Sequence, residues 1–404
     1  MSCKLNDVCE LIVDCPHSTE PDEGEGYPII RTPNIGAGYL DLEGVQRVSK
    51  AAYDRRNARA VPRPNDLILA REAPAGNVGI IREGMEVCLG QRTVLIRPNA
   101  EKVSPLFLNY YLNAPKQRHA LLSNSNGATV SHVNMPIIRN LVIELPDRET
   151  QDRIADVLTA YDELIENNRR QIKLLEEAAR RLYKEWFIDL KFPGHETTPI
   201  VDGLPEGWQK GSLLDFAGFY RGKSYTSKDL VESGKMQLAN LNSIAAYGGW
   251  ACGAEKPYAG AYKPEQLISF GDVIMAVTDM TKERRLVGHV ARVPRQADGF
   301  LISMDLIKLV PKGVTDNYLY AALRFSGVAE MIAMLANGTN VLHLKPDALN
   351  RVSFVRPDYG TQKQFSAASE SLFAMSEHLE QEAVLAREAR DRLLPKLMTG
   401  EVKE

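Results

Sequence analysis

The chain has 404 residues, 44% hydrophobic and 25% charged, with 49 Lys+Arg against 52 Asp+Glu and a formal net charge of −3. That is the composition of a soluble globular protein of two to three domains; no run reaches the roughly 18 apolar residues of a membrane span, and Asp7, Glu10 and Asp14 interrupt the N-terminal apolar stretch, so no secretory leader is expected. Five cysteines make no disulfide framework and point to the cytoplasm, while a net negative charge by itself argues against a nucleic-acid binder, which is usually basic.

In chain order, the β-like runs YPIIRT, DLILA, NVGII and RTVLIR are separated by Gly, Pro and Asn, and a short helix candidate, SPLFLNYYLNAPKQRHALL, follows them. Pro146 closes this mixed α/β globule, residues 1–146. A long helix is expected over 147–190, then a Pro/Gly-rich joint (192–208), a second globule over 191–356 and a second long helix over 357–404, ending at Pro395. The halves repeat one another. At an offset of 211, Asn126, Gly127, Val130, His132, Pro146, Asp147, Thr150 and Gln151 meet Asn337, Gly338, Val341, His343, Pro357, Asp358, Thr361 and Gln362. Looser matches keep the same order, RPNDLILAREAP with SFGDVIMAVTDM and GQRTVLIRP with SMDLIKLVP among them. Two copies indicate a duplicated domain rather than a solenoid.

Ile154, Leu158, Tyr161, Ile165, Asn168, Ile172, Leu175, Ala179, Leu182 and Trp186 alternate spacings of four and three, the 3.5-residue period of a coiled-coil seam. Its polar entry, Asn168, is of the kind that fixes register. The second helix carries Phe365, Ala368, Leu372, Met375, Leu379, Ala383, Ala386 and Leu393 less regularly. The expected fold is therefore α+β: two similar globules joined by two long antiparallel helices that form a coiled-coil-like spacer about a pseudo-twofold axis. Two helices packed into separate cores are the alternative.

Catalytic constellations are scarce. GFYRGKS (Gly218 to Ser224) is one residue short of a phosphate-cradling loop and reads as a turn after a strand. There is no Pro-Pro, hence no base-methylating motif. Cys3, Cys9, Cys15 and His17 lack zinc-ligand spacing, and Asp66 with Glu72 lacks the lysine of a metal-dependent nuclease. His132 and His343 follow matched glycine-containing turns, where packing or turn closure explains them better than catalysis. No catalytic residue, metal or cofactor is expected.

The segments KLNDVCELI, RPNDLILAREAPAGNVGII, LTAYDELIENN with RRLYKEWF, GDVIMAVTDMT and RLLPKLMTGE together resemble the specificity subunits of type I restriction–modification systems, over essentially the whole chain. The resemblance implies two target recognition domains, each reading half of a split sequence in double-stranded DNA. It also implies two conserved helices that space them and dock two methyltransferase subunits, a restriction/translocase subunit in the larger assembly, and no catalysis by this chain. Rival readings are a self-sufficient DNA methyltransferase or nuclease, and a coiled-coil adaptor without DNA contact.

The copies agree at glycines, prolines and apolar positions and differ at polar loop residues, where base readers are sought. Arg31, Thr32 and Asn34 stand roughly against Asn240 and Asn242; Arg71, Glu72 and Asn77 stand against Thr278, Asp279, Lys282, Arg284 and Arg285. Arg suits guanine, Asn adenine, and Asp or Glu cytosine in the major groove; solvated loop charges are the plain alternative. Arg55, Arg56, Arg59 and Arg63 are candidate phosphate contacts. The spacer and partner surface is assigned to Ile154, Leu158, Tyr161, Ile165, Asn168, Ile172, Leu175, Leu182, Trp186, Leu372, Leu379 and Leu393. Net charge is 0 over 1–146, −2 over 147–192, +2 over 193–356 and −3 over 357–404. The acidic excess lies on the helices, so a near-neutral total leaves room for DNA-binding faces on the globules, with much of the phosphate affinity expected from partner subunits.

Overall fold

The unbroken apolar run Leu67–Ala70 forms a strand buried at every residue, as a strand covered on both faces must be. In the computed structural model, which describes residues 2–72, 74–123 and 132–401, this strand lies between Thr93–Pro98 and Val78–Ile80. Cys9–Asp14 completes an antiparallel four-stranded sheet, with Leu67 opposite Ile96 and Leu69 opposite Val94. A three-stranded sheet places Tyr27–Ile30 between Arg47–Val48 and, in parallel, Cys88–Leu89. Ser2–Lys4 pairs with Val142–Glu144. The single helix expected after the strands is two, Pro105–Asn113 and Pro115–Ser123. Pro115 has no N–H to donate and holds Ala114 extended (ψ 142°), which ends the first helix.

The second half builds the same topology from different residues. Ala217–Arg221, Leu306–Pro311, Val273–Ala276 and Val290–Arg292 repeat the four-stranded order. Lys256–Pro257, Gln237–Ala239 and Leu301–Ile302 repeat the three-stranded one, with the same parallel pair. Gln209–Ser212 with Ser353–Arg356 answers Ser2–Lys4 with Val142–Glu144. Asn126, Gly127 and Val130 of the sequence repeat lie outside the described residues.

Contacts divide the chain into two units, Met1–Leu164 with Ala386–Glu404, and Ile165–Leu385. Each unit therefore takes one globule and part of both long helices, Arg148–Tyr183 and Tyr359–Thr399. In the first unit Ile154, Ala155 and Leu158 enter the core around Leu67, Ile96 and Phe107, and Leu397 joins them from the second helix. Tyr110 Oη donates to Asp162 Oδ2 (2.6 Å), whose Oδ1 pairs with Arg390. In the second unit the helices run antiparallel: Asn168 bonds Glu382, while Tyr183 packs edge-on to Phe365.

Three expectations for the helices need correction. Ala368 and Met375 of the second helix are exposed, and Ser369 and Phe373 turn inward instead. The helix packs against its globule as well as against its partner, with Phe373 on Tyr320 (5.2 Å between rings), so its inward face is wider than a seam. Near the end of the first helix a π-type turn, Lys184–Ile188, breaks the 3.5 period. It leaves Leu182 and Trp186 partly buried and directs Tyr183 and Phe187 into the aromatic core with Tyr318 and Phe365. Finally, the second helix passes Pro395 and runs to Thr399, its last turn held by the buried Leu397. No described helix is long and apolar enough to cross a membrane.

Candidate nucleic-acid interface

In both units three segments meet at one end of the four-stranded sheet. In the first they are the loop after Leu67–Ala70, the turn before Thr93–Pro98, and the segment at His132. Arg71 N donates to Arg92 O (2.8 Å) and Val133 N to Arg71 O (3.1 Å). In the second unit Val277 N donates to Asp305 O (2.8 Å) and Leu344 N to Val277 O (2.8 Å), while Thr278 pairs with His343. These bonds set the correspondence between the copies. Arg71 matches Val277 and Glu72 matches Thr278, as in the match of RPNDLILAREAP with SFGDVIMAVTDM. Likewise Asn34 N bonds Arg31 O as Ser243 N bonds Asn240 O, so Arg31 matches Asn240. Gly90 N bonds Ile30 O as Ser303 N bonds Ala239 O, which matches Gln91 with Met304 and Arg92 with Asp305.

The first unit's edge is a polar relay. Arg71 is buried; its Nη1 reaches both Asp14 carboxylate oxygens at 2.7 Å and its Nε donates to Val133 O at 2.8 Å. Its Nη2 lies 2.8 Å from His132 Nε2. A guanidinium can only donate, so Nε2 accepts, and Nδ1 carries the hydrogen and donates to Glu72 Oε1. Glu72 Oε2 in turn forms an ion pair with Arg92 Nε (2.9 Å). Arg92 opens into a polar cleft of about 470 Å³ shared with Ser18, Arg31, Gln46 and Gln91. Arg31 Nη1 donates to Gln46 Oε1 (2.6 Å) on its rim.

In the second unit the corresponding loop is longer and is built around Asp279. Its carboxylate is fully buried and accepts from Thr281 N and Oγ1 (both 2.7 Å), Leu286 N (2.6 Å) and Val287 N (3.0 Å). Burial opposes ionisation, but these bonds outweigh it and hold the carboxyl below its usual range. The loop so fixed exposes Met280, Lys282 and Arg285. Arg284 sits at φ 54°, with Nη1 bound to Ala333 O (3.1 Å).

Several candidate base readers are thus committed to the fold. Thr32, Arg71, Asn240, Thr278 and Asp279 are buried. Asn240 caps a turn through Asn242 N (2.9 Å) and donates to Ala254 O (2.6 Å). Asn34 Oδ1 accepts from Arg31 N, and Asn77 Nδ2 donates to Ile35 O. Arg31, Asn242, Lys282 and Arg285 are exposed, and Glu72 and Arg284 are half-buried. Among the candidate phosphate contacts, Arg56 needs correction: it is buried and donates to Leu89 O, Ser18 O (2.9 Å) and Pro16 O (3.1 Å). Arg55 pairs with Glu20 (3.1 Å), and Arg59 and Arg63 are exposed. Sequence comparison passed over Gln46, Gln91 and Arg92, although the match of GQRTVLIRP with SMDLIKLVP sets Gln91 against Met304 and Arg92 against Asp305; the φ of Arg92 that sets it apart is a backbone property with no sequence signal.

The helix residues Ile154, Leu158, Ile165, Asn168 and Leu379 are buried, and Tyr161, Ile172, Leu175, Leu182, Trp186, Leu372 and Leu393 partly so. They hold the helices to their units, while Leu174 and Leu385 point outward. Asp66 pairs with Arg97 (2.7 Å) and GFYRGKS falls in and after the strand Ala217–Arg221. All five cysteines are free, burial pushing the Cys9 thiol up to about 12. Among the described residues no group of three or more His, Cys, Asp or Glu could hold a metal ion.

Comparisons with known proteins agree with this architecture. Residues 1–177 match the family described as Type I restriction modification DNA specificity domain. The Type I restriction enzyme MjaIX specificity subunit of Methanocaldococcus jannaschii is 25% identical over 99% of this chain and 93% of its own length. The putative type I restriction enzyme MjaX specificity subunit of the same organism is 24% identical over 99% and 93%. In fold, the crystal structure of the type I restriction–modification system S subunit from M. genitalium superposes with a TM-score of 0.62 at 14% identity, covering 98% of this chain and 95% of that one. With its duplicated sheet topology, its paired long helices and relatives aligned over nearly its whole length, the chain is similar throughout to the specificity subunits of type I restriction–modification systems, and its residues 1–177 match their DNA specificity domain.

Proposed function

We propose that this chain is the DNA sequence-specificity subunit of a type I restriction–modification complex, with each globule reading one half of a bipartite target at its three-segment edge. The observation that carries this reading is one scaffold built twice with different chemistry at matched positions of that edge: Gln91 against Met304 and Arg92 against Asp305. A structural adaptor has no use for that pattern; a reader of two unlike half-sites requires it, because a shared fold presents side chains at equivalent places and their identity selects the base. The long helices set the unread spacer and dock two methyltransferase subunits, which hold much of the DNA backbone and do the chemistry; a restriction/translocase subunit joins the larger complex. The chain itself does not catalyse.

The test is exchange of residues 1–146 for the matching domain of a relative, in complex with the methyltransferase subunits, followed by sequencing of the methylated sites. One half of the motif is expected to change. A motif changed in both halves, or in neither, refutes the reading.

A further inference from the structure

We propose that Arg92 is the residue of the first unit that reads guanine, and that Glu72, His132 and Arg71 position it; this rests on the DNA-reading function above. Four observations carry it. Arg92 has φ 64°, in the left-handed region where a side chain is strained and glycine is favoured. A long charged residue held there, with its side chain 58% exposed, does nothing for packing. The turn beneath it is rigid. Gly90 N bonds Ile30 O (2.7 Å), Thr93 Oγ1 donates to Gly90 O (2.9 Å), and a Cβ at Gly90 would come within 2.6 Å of Ile30 O, so the turn is wedged against its neighbouring strand.

The guanidinium is also aimed. Glu72 Oε2 forms an ion pair with Nε at 2.9 Å, and Glu72 is fixed by His132 Nδ1–H, whose acceptor nitrogen is set by the buried Arg71. Among the described residues Nη1 and Nη2 have no partner. Two parallel N–H donors on a braced guanidinium match the O6 and N7 acceptors of guanine, which lie side by side in the major groove. Finally, Arg92 lines the cleft with Gln91, Gln46 and Arg31, all side chains that donate to base edges. Asp305 stands at the matched position of the second unit, so this guanine contact belongs to one half-site only. Arg92 is the contact residue; Glu72 and His132 act through it.

The experiment uses the complete complex with its methyltransferase subunits and sequences the methylated sites of Arg92→Gly, Arg92→Ala and Glu72→Gln variants beside the 1–146 exchange. Arg92→Gly removes the reader while relieving the backbone, so its melting temperature is expected to be unchanged or higher. Both Arg92 variants are expected to lose about 10-fold or more discrimination at a single G·C pair of one half-site, with the other half intact. Glu72→Gln is expected to weaken the same position less. A first half-site without guanine, an unchanged motif, or a uniform fall in methylation with the motif intact (a phosphate contact) overturns the proposal. If the domain exchange moves the half-site and the Arg92 variants do not, only Arg92 is wrong; if the exchange moves nothing, the DNA-reading assignment fails first.

Discussion

Asn168 Nδ2 donates to Glu382 Oε2 at 2.7 Å and lies 3.4 Å from Leu379 O, so the polar residue of the first helix's seam is satisfied by the second helix within one unit. A buried amide that finds a carboxylate and a carbonyl at one axial position resists sliding of the helices, because any other register strands it. Asn168→Ala is expected to cost roughly 1–3 kcal/mol in urea denaturation of the full chain. Asn168→Leu with Glu382→Leu should recover most of that loss. A single variant as stable as the parent would show that the bond carries no weight.

Arg56 separates a structural arginine from the candidate phosphate contacts. Its buried guanidinium donates to three backbone carbonyls, and its removal takes that donor from all three. Arg56→Ala is expected to destabilise the first globule by about 3 kcal/mol or more, read as a lowered melting temperature. Arg59→Ala and Arg63→Ala, on exposed side chains, should leave stability within about 0.5 kcal/mol of the parent. If they reach phosphate, each reduces the salt dependence of DNA binding by the complex by about one ion.

Glu377 gives the second unit a pH dependence. Burial pushes its carboxyl from 4.5 up to about 7, against the opposing pull of Arg292, with which it pairs. The folded chain therefore holds this proton more tightly than the unfolded one. Its contribution to stability is full below about pH 4.5 and is lost as pH rises to about 7, a change of up to about 3 kcal/mol. Glu377→Gln should match the parent near pH 5 and exceed it in melting temperature at pH 8. Curves that stay parallel from pH 5 to 8 would refute this.

Lengthening the helix Arg148–Tyr183 by one turn is expected to change the number of unread base pairs between the half-sites and to leave both half-sites intact, as read from the methylated motif. A change in either half-site would mean that the helix does more than space the readers.

The isolated chain is expected to bind its target weakly. Its globules carry net charges of 0 and +2, too little for strong counterion release. A gel shift showing nanomolar specific binding without methyltransferase subunits would contradict that division of labour.

Much of this protein follows from its sequence alone. The repeat was legible because folding positions are shared: the apolar strand runs, the glycines and the Pro-Asp-x-x-Thr-Gln helix starts recur in order, and the same three sheets form twice. The first helix's period located Asn168, because a 3.5-residue repeat states which face is buried. Tertiary structure alone decided which polar residues are free. Arg71, Asn240 and Asp279 look like surface readers in a one-dimensional comparison, yet backbone donors and acceptors brought from distant segments bury them. Arg92 stands against Asp305 in the matched segments, but what sets it apart is not in the sequence: its strained φ, its ion pair with Glu72 and its open cleft exist only once strands far apart in the chain have paired. Periodicity reports burial of apolar faces, while the fate of a polar side chain depends on partners that only the completed fold assembles.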